Sequence, residues 1–541
     1  MQHVRSRRPV VLSPNAMVAT SQPLAVEAGI DVLRSGGTAM DAAIAANAVL
    51  GVVEPMSCGI GGDVYAITWD AASEALIGFN GSGRAPARMT RDWYAAQGHE
   101  YIPSVGPASW SVPGCVHGWF ELHRRFGQLP MGRLLRPAIA YAENGFPVSP
   151  VIAGMWERST EKLHRDPGAA EVFLPSGRAP RQGEIFRNRA LAATLEALAE
   201  EGSGVFYEGE IAKQLCAFSE RIGGLLSRED LAAHTSTWVD PVCATYRGYE
   251  VWQLPPNTQG LAVLQMLRML ESFDIASMGH NSVELLHLFL EVKKLAYEDR
   301  ARLYADPAFF DVPVEALLSD AYVSSQIVKI DSEHAAQEIS VEDPRLTQGD
   351  TVYLTVVDAA GNAVSFIQSI FNSFGSGVVD PALGFAIHNR GSLFHLDPEH
   401  PNALEPGKRP FQTIIPGFVT QETSPVFSFG VMGGDMQPQG QVQVLMNLID
   451  FGMDPQEAGE ALRARHDGSS TPVGRHMTHG GIAKLEPGFP ETVVEGLRAK
   501  GHKVETAERG FGGYQGIWID KETGVLAGGS EPRKDGCAAG Y

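Results

Sequence analysis

Residues 349–370 read GDTVYLTVVDAAGNAVSFIQSI. Two runs rich in β-formers, TVYLTVVD (351–358) and AVSFIQSI (363–370), flank the turn-forming Ala359-Ala360-Gly361-Asn362. That pattern predicts a β-hairpin. If it closes symmetrically on Ala360, Val357 faces Ala363, and at the open end Thr351 faces Ser369. Directly opposed residues carry Cβ atoms about 4.5–5.5 Å apart on one sheet face. The hairpin therefore opens with two neighbouring hydroxyls, provided no bulge shifts the register.

Upstream, SEHAAQEISVEDPRLTQGD (332–350) is polar and charged, with neither helical nor strand periodicity. It reads as an exposed loop that ends at Thr351. A structureless stretch of that length in a compact protein is usually functional or disordered. Further back, residues 21–50 read as two helices: Pro23 suits a first turn, Gly36-Gly37 ends the first, and Thr38 caps an Ala-rich second that runs to about Val49. Strands are expected at Val64–Trp69 and at Ala75–Phe79, the latter ending at Asn80-Gly81. Residues 115–300 read as mostly helical, including Leu191–Glu200 and Val283–Tyr304. Downstream, short strands are expected near 413–419 and 426–432, and a helix from Gln439 to Phe451. A helical first part and a strand-rich second part predict an α+β layered protein.

The formal net charge of the 541-residue chain is −20, and no Lys/Arg-rich run interrupts it. That sign argues against nucleic acid or an anionic membrane as partner. No apolar run approaches the roughly 18 residues of a membrane span. The apolar Val10-Val11-Leu12 behind the basic N-terminus is too short for a signal-peptide core. Five scattered cysteines, without a CxxC, fit reduced thiols and a cytoplasmic location. No cofactor or metal is expected. Gly59-Ile60-Gly61-Gly62 precedes a strand where a dinucleotide loop would open a helix, and His388, His395 and His400 match no common metal spacing.

Two features could carry chemistry. A Thr hydroxyl becomes a useful nucleophile beside a base, and a free α-amine on the same residue can serve. Such an amine, with an ordinary pKa of about 7.7–8.0, exists at Thr351 only if the 350–351 bond is cut. Gly433-Gly434, between a strand and a helix in FSFGVMGGDMQPQG (427–440), offers consecutive N–H groups for an oxyanion. Taken alone, each also reads as ordinary structure: a threonine opening a strand, and a turn.

In order along the chain, SCGIGGDVYA (57–66), VPGCVHGW (112–119), FYEGEIAKQL (206–215), GDTVYLTVVDAAGNAVS (349–365), FGSGVV (374–379), PGKRP (406–410), VMGG (431–434) and DGCAAGY (535–541) resemble the γ-glutamyltransferase family. The resemblance implies a four-layer αββα Ntn-hydrolase sandwich and a precursor that cleaves itself before Thr351. The products would be a large subunit (1–350) and a small subunit (351–541) that stay together as a heterodimer, with higher oligomers open. By the same resemblance Thr351 is the nucleophile, Ser369 assists it, and Gly433 and Gly434 form the oxyanion hole.

Several substrate-side positions depart from the family pattern. The family's arginine before Ala-Pro aligns with Ser82, with Arg84 two residues on; its asparagine after the second hydroxyl aligns with Phe371. Its glutamine and aspartate in the next loop align with Arg390 and Leu393, and its paired serines with Gln412 and Thr413. Loss of that aspartate removes a charge partner for an α-ammonium group, while Arg84 and Arg390 keep positive charge for an acid. NGSGRAP, HNRGSLF, GKRPFQTIIP and GVMGGDMQPQG are similar to the oxamate amidohydrolase branch. The expected substrate is a small carboxylate-bearing amide, oxamate first. The alternatives are γ-glutamyl transfer or glutathione hydrolysis, a glutaryl-type acylase, and an unprocessed paralogue that binds without turnover.

Overall fold

The hairpin forms with the register its turn dictates. In a computed structural model, which describes residues 7–337, 351–474, 477 and 479–541, Val357 pairs with Ala363 and Val352 with Gln368. One step further out, Thr351 Oγ lies 3.2 Å from Ser369 Oγ.

The first half contributes strands β1 (Val11–Ser13), β2 (Met17–Thr20), β3 (Asp63–Asp70), β4 (Ala75–Gly81), β5 (Phe146–Pro147), β6 (Ile185–Phe186), β7 (Thr237–Val239), β8 (Val242–Tyr246) and β9 (Tyr249–Gln253). The second half contributes β10 (Val352–Val357), β11 (Ala363–Ser369), β12 (Gly417–Gln421), β13 (Ser424–Met432), β14 (Ala464–Asp467), β15 (Ile482–Leu485), β16 (Val504–Thr506), β17 (Gly513–Ile519), β18 (Leu526–Ser530) and β19 (Cys537–Gly540). Two seven-stranded sheets result, ordered β19-β2-β10-β11-β3-β4-β7 and β1-β18-β17-β13-β12-β9-β8. Each draws strands from both halves of the chain.

Alternation along each strand decides what its faces meet. On β10, Tyr353 and Val357 point between the sheets, against Phe418, Met432 and Ile517. Val352, Leu354 and Val356 point outward into a helical layer. That layer includes α1 (Pro23–Arg34) and α2 (Ala39–Val53). Thr38 caps α2 by accepting from Asp41 N, while Asp41 accepts from Thr38 N. Ala-rich α2 is buried along nearly its whole length and lies directly on β10 and β11, which its small side chains permit. The helices Gly260–Leu270, Val283–Leu303 and Met436–Ile449 cover the outer face of the second sheet. The four-layer αββα sandwich expected from the sequence is thus present.

Boundaries differ from the sequence reading for physical reasons. The helix α2 continues past Val49 to Val53, because apolar residues persist until Glu54. Strand β4 runs through Asn80-Gly81, the expected turn, because β3 pairs with Gly81 and β7 with Asn80. The stretch 115–300, read as mostly helical, contains β7, β8 and β9, which complete both sheets at one end. The strand expected at 413–419 begins only at Gly417, and the helix expected at 439–451 spans Met436–Ile449. Of the loop expected at 332–350, residues 338–350 lie outside the described residues. Residues 331–337 are held by hydrogen bonds, the Ala336 N–H to Glu291 and the Ala335 N–H to the Lys500 carbonyl among them.

Candidate active site

Three neighbouring strands bring one side chain each to the same end of the inter-sheet space. Thr351 precedes β10, Ser369 ends β11, and Asp63 opens β3 as the register partner of Ser369. All three share the parity of Tyr353, Ile367 and Tyr65, which pack between the sheets. At about 4.8 Å per strand, the row spans roughly 10 Å. The Thr351 hydroxyl donates to Ser369 Oγ at 3.2 Å, and Phe371 N donates to the same oxygen at 2.8 Å. Thr351 is 1% exposed and Ser369 0%, so chemistry here would proceed away from bulk water.

The opposite sheet supplies the other wall. Thr355 Oγ donates to Ser428 Oγ at 2.6 Å across the gap, and the Tyr353 ring lies over Gly430. The same progression, backwards along β10 and forwards along β13, brings Thr351 level with Met432 and the turn after it. That turn is Gly433-Gly434, with φ of +123° and +57°. Among the described residues, neither of its N–H groups donates to a backbone carbonyl.

Gln412 and Thr413 precede β12. Gln412 Nε2 donates to Asp63 Oδ2 at 2.9 Å, and Gly83 N donates to Asp63 Oδ1 at 3.0 Å. Arg390 is fully buried. Its Nη1 donates to Thr413 Oγ at 2.9 Å and its guanidinium lies 4.9 Å from the Phe371 ring centre. Among the described residues its Nε and Nη2 have no hydrogen-bond partner, nor do Gln412 Oε1 and His388 Nε2. Burial pushes the Arg390 pKa down to about 10, against the opposing pull of Asp63, so it remains a cation at neutral pH. Buried polar atoms are ordinarily satisfied, and an unpartnered guanidinium is costly. Gln412 and His388 both lie against Asp63, the register partner of Ser369, so these orphaned atoms mark a candidate site for a small polar group.

Arg84 stands apart. Its Nη1 donates to the Thr235 carbonyl at 3.2 Å, and among the described residues no hydrogen bond joins it to Thr351, Ser369 or Arg390. His388 is buried 3.8 Å from Asp63, whereas His395 and His400 stack on each other elsewhere. His287, Glu291 and His502 cluster closely enough to ligate a metal. Their polar atoms are engaged, however: His287 Nδ1 with His502 Nε2 at 2.8 Å, and Glu291 with Lys294 Nζ and Ala336 N.

Residues 25–541 match the family model described as gamma-glutamyltranspeptidase. The chain belongs to the γ-glutamyltranspeptidase family. A glutathione hydrolase-like proenzyme of Bacillus subtilis (strain 168) is 37% identical, over 98% of this chain and 99% of its own. An oxamate amidohydrolase proenzyme of Klebsiella pneumoniae is 36% identical, again over 98% and 99%. The crystal structure of cephalosporin acylase from Bacillus halodurans superposes with a TM-score of 0.91 at 44% identity, covering 100% of this chain and 98% of that one. This member of the γ-glutamyltranspeptidase family is accordingly an enzyme, in a family of autoprocessing Ntn-hydrolases.

Sequence reasoning missed Asp63 as a site residue, although it sits inside the quoted SCGIGGDVYA motif. The available signal was register: Asp63 begins the strand that continues the Thr351–Ser369 row. Gln259, Arg300 and Asp435, which surround the glycine turn, gave no local signal because only tertiary packing gathers them.

Proposed function

We propose that this enzyme cuts itself between residues 350 and 351 and then hydrolyses a small carboxylate-bearing amide through an acyl-enzyme on Thr351. The freed α-amine takes the Thr351 hydroxyl proton while Oγ attacks the amide carbon. The N–H groups of Gly433 and Gly434 receive the oxyanion, and Ser369 orients the nucleophile. The amine then leaves with the proton, and water hydrolyses the ester. Residues 1–350 and 351–541 remain together as a heterodimer. Five free thiols agree with a cytoplasmic site of action.

The observation that carries the substrate reading is Arg390: a buried cation whose Nε and Nη2 have no partner among the described residues, beside Thr413 and Gln412. A substrate carboxylate would satisfy both in a bidentate pair. Oxamate is the leading donor. A second reading, γ-glutamyl hydrolysis, is favoured by Asp63. This buried carboxylate, bonded by Gln412 and Gly83, could balance an α-ammonium group from a different strand than the family's usual aspartate. Amine release by the purified enzyme from oxamate and from a γ-glutamyl anilide separates them. Faster turnover of oxamate supports the first reading; preference for the anilide overturns it. A single uncleaved band on a denaturing gel, with no amine released, would mean an inert paralogue.

A further inference from the structure

The Gly433-Gly434 turn is held by a buried clamp that also reaches the carboxylate side of the site. Two consecutive glycines at positive φ are conformationally permissive, so something must fix where their N–H groups aim. Each carbonyl of the turn has a partner. Gly433 O accepts from Met436 N, Gly434 O from Gln437 N, and Asp435 O from the Tyr297 hydroxyl at 2.6 Å. One further donor comes from outside the helix that follows the turn. The amide of Gln259, fully buried, donates one N–H to Gly434 O at 2.9 Å and the other to Thr413 O at 2.6 Å. Both donors of a single Nε2 are thereby committed, one to the turn after β13 and one to the segment before β12.

Arg300 sets which way that amide faces. It is fully buried on the helix Val283–Leu303, and its Nη1 donates to Gln259 Oε1 and to Asp435 Oδ1, each at 2.7 Å. Its guanidinium lies 3.8 Å from the Tyr297 ring centre. Because Arg300 can only donate, Gln259 must present its oxygen there and its NH₂ to Thr413 and Gly434. A flipped amide would oppose donor to donor. Thr413 in turn accepts from Arg390 through its hydroxyl. The chain of contacts therefore runs Arg390–Thr413–Gln259–Gly434, without a break.

We infer that Gln259, oriented by Arg300, is a positioning residue that couples occupancy of the Arg390 subsite to the aim of the oxyanion-binding N–H groups. The inference rests on the functional reading above for its catalytic consequence. When a carboxylate engages Arg390, movement of Thr413 is transmitted through one rigid amide to the peptide plane after Gly434. Removing an oxyanion donor outright lowers kcat by about 10²–10³, and mis-aiming one should cost at least about tenfold.

The test is Gln259→Glu, which keeps the shape and the bond from Arg300 but loses both donors, with Gln259→Met as the uncharged second variant. Hydrogen–deuterium exchange is followed over 411–415 and 431–437, alongside kcat and KM for carboxylate-bearing amide hydrolysis. The clamp predicts faster exchange in both segments, and a kcat at least about tenfold lower together with a raised KM, whatever the change in Tm. Thr413→Val, which breaks the Arg390 link but leaves both Gln259 bonds, should raise KM and lower kcat while exchange over 431–437 stays at the wild-type rate; an unchanged kcat would overturn the coupling. Wild-type exchange in both segments of a folded Gln259 variant overturns the clamp, and faster exchange with unchanged kcat overturns its catalytic role. Should the wild type release no amine from any such amide, the functional reading fails, and exchange alone still decides the clamp.

Discussion

At the scale of single residues, the site divides into what spacing reveals and what only packing assembles. Thr351 and Ser369 were legible because a short turn fixes the pairing of everything beyond it. Gly433 and Gly434 were legible as a strand-to-helix turn. Asp63 lies 306 positions before Ser369 and meets it only through the register of β3 with β11, so no local pattern could join them. Arg390 was expected to carry positive charge to the substrate, but its surroundings were not readable: nothing in HNRGSLF tells that, among the described residues, no carboxylate comes within ion-pair distance of it and Nε and Nη2 lack partners. Those open nitrogens make it the residue to change. Charge-assisted hydrogen bonds contribute about 1.5–3 kcal/mol, a factor of roughly 10 to 150. Arg390→Gln should lower kcat/KM for a carboxylate-bearing amide by that factor, chiefly through KM. Self-cleavage, read as two bands on a gel, should persist. A variant with unchanged KM would remove Arg390 from substrate binding.

Elements were legible where their signals are local and lost where partners decide. The hairpin, the capped α2 and the long helix Val283–Leu303 carry their own patterns of turn, cap and periodicity. The strands β7, β8 and β9 are three to five residues long and lie between helices. Their pairing with β4 and β12 makes them strands. Between the sheets, the decisive contact is Tyr353 on Gly430, where an added Cβ would lie 2.5 Å from the ring. Gly430→Ala should therefore push Tyr353, and with it the start of β10, away from the glycine turn. Overpacking of this kind costs about 1–3 kcal/mol. A lower Tm, together with slower appearance of the two bands, is expected. An unchanged cleavage rate would show that Thr351 is placed independently of that column.

For the whole molecule, the end of the first half is tied down by a buried polar cluster. The Asp331 carbonyl accepts from His287 Nε2 at 2.7 Å, which leaves Nδ1 to accept from His502. Lys294 donates to the Ala336 carbonyl, and Gly480 N to that of Gln337. Burial, then Lys294, His287 and Lys500, push the His502 pKa down to about 3. Its proton therefore binds the unfolded chain first. The stability it confers is complete above the ordinary value of about 6.5. It falls by roughly 1.4 kcal/mol per pH unit as the solution is acidified toward 3. A Tm measured from pH 7 to 4 should fall steeply, and His502→Gln should flatten that slope; an equal slope in the variant would place the acid sensitivity elsewhere. The two sheets add a last consequence. Strand β10 lies between β2 of the first half and β11 of its own, and β19, at the other end of the chain, pairs with β2. With the 350–351 bond cut as proposed, neither piece would hold a complete sheet, so folding would change its reaction order. The uncut Thr351→Ala chain should refold at a rate independent of protein concentration. The cut enzyme, once unfolded, should recover more slowly the more it is diluted, so that cleavage fixes the structure it leaves behind.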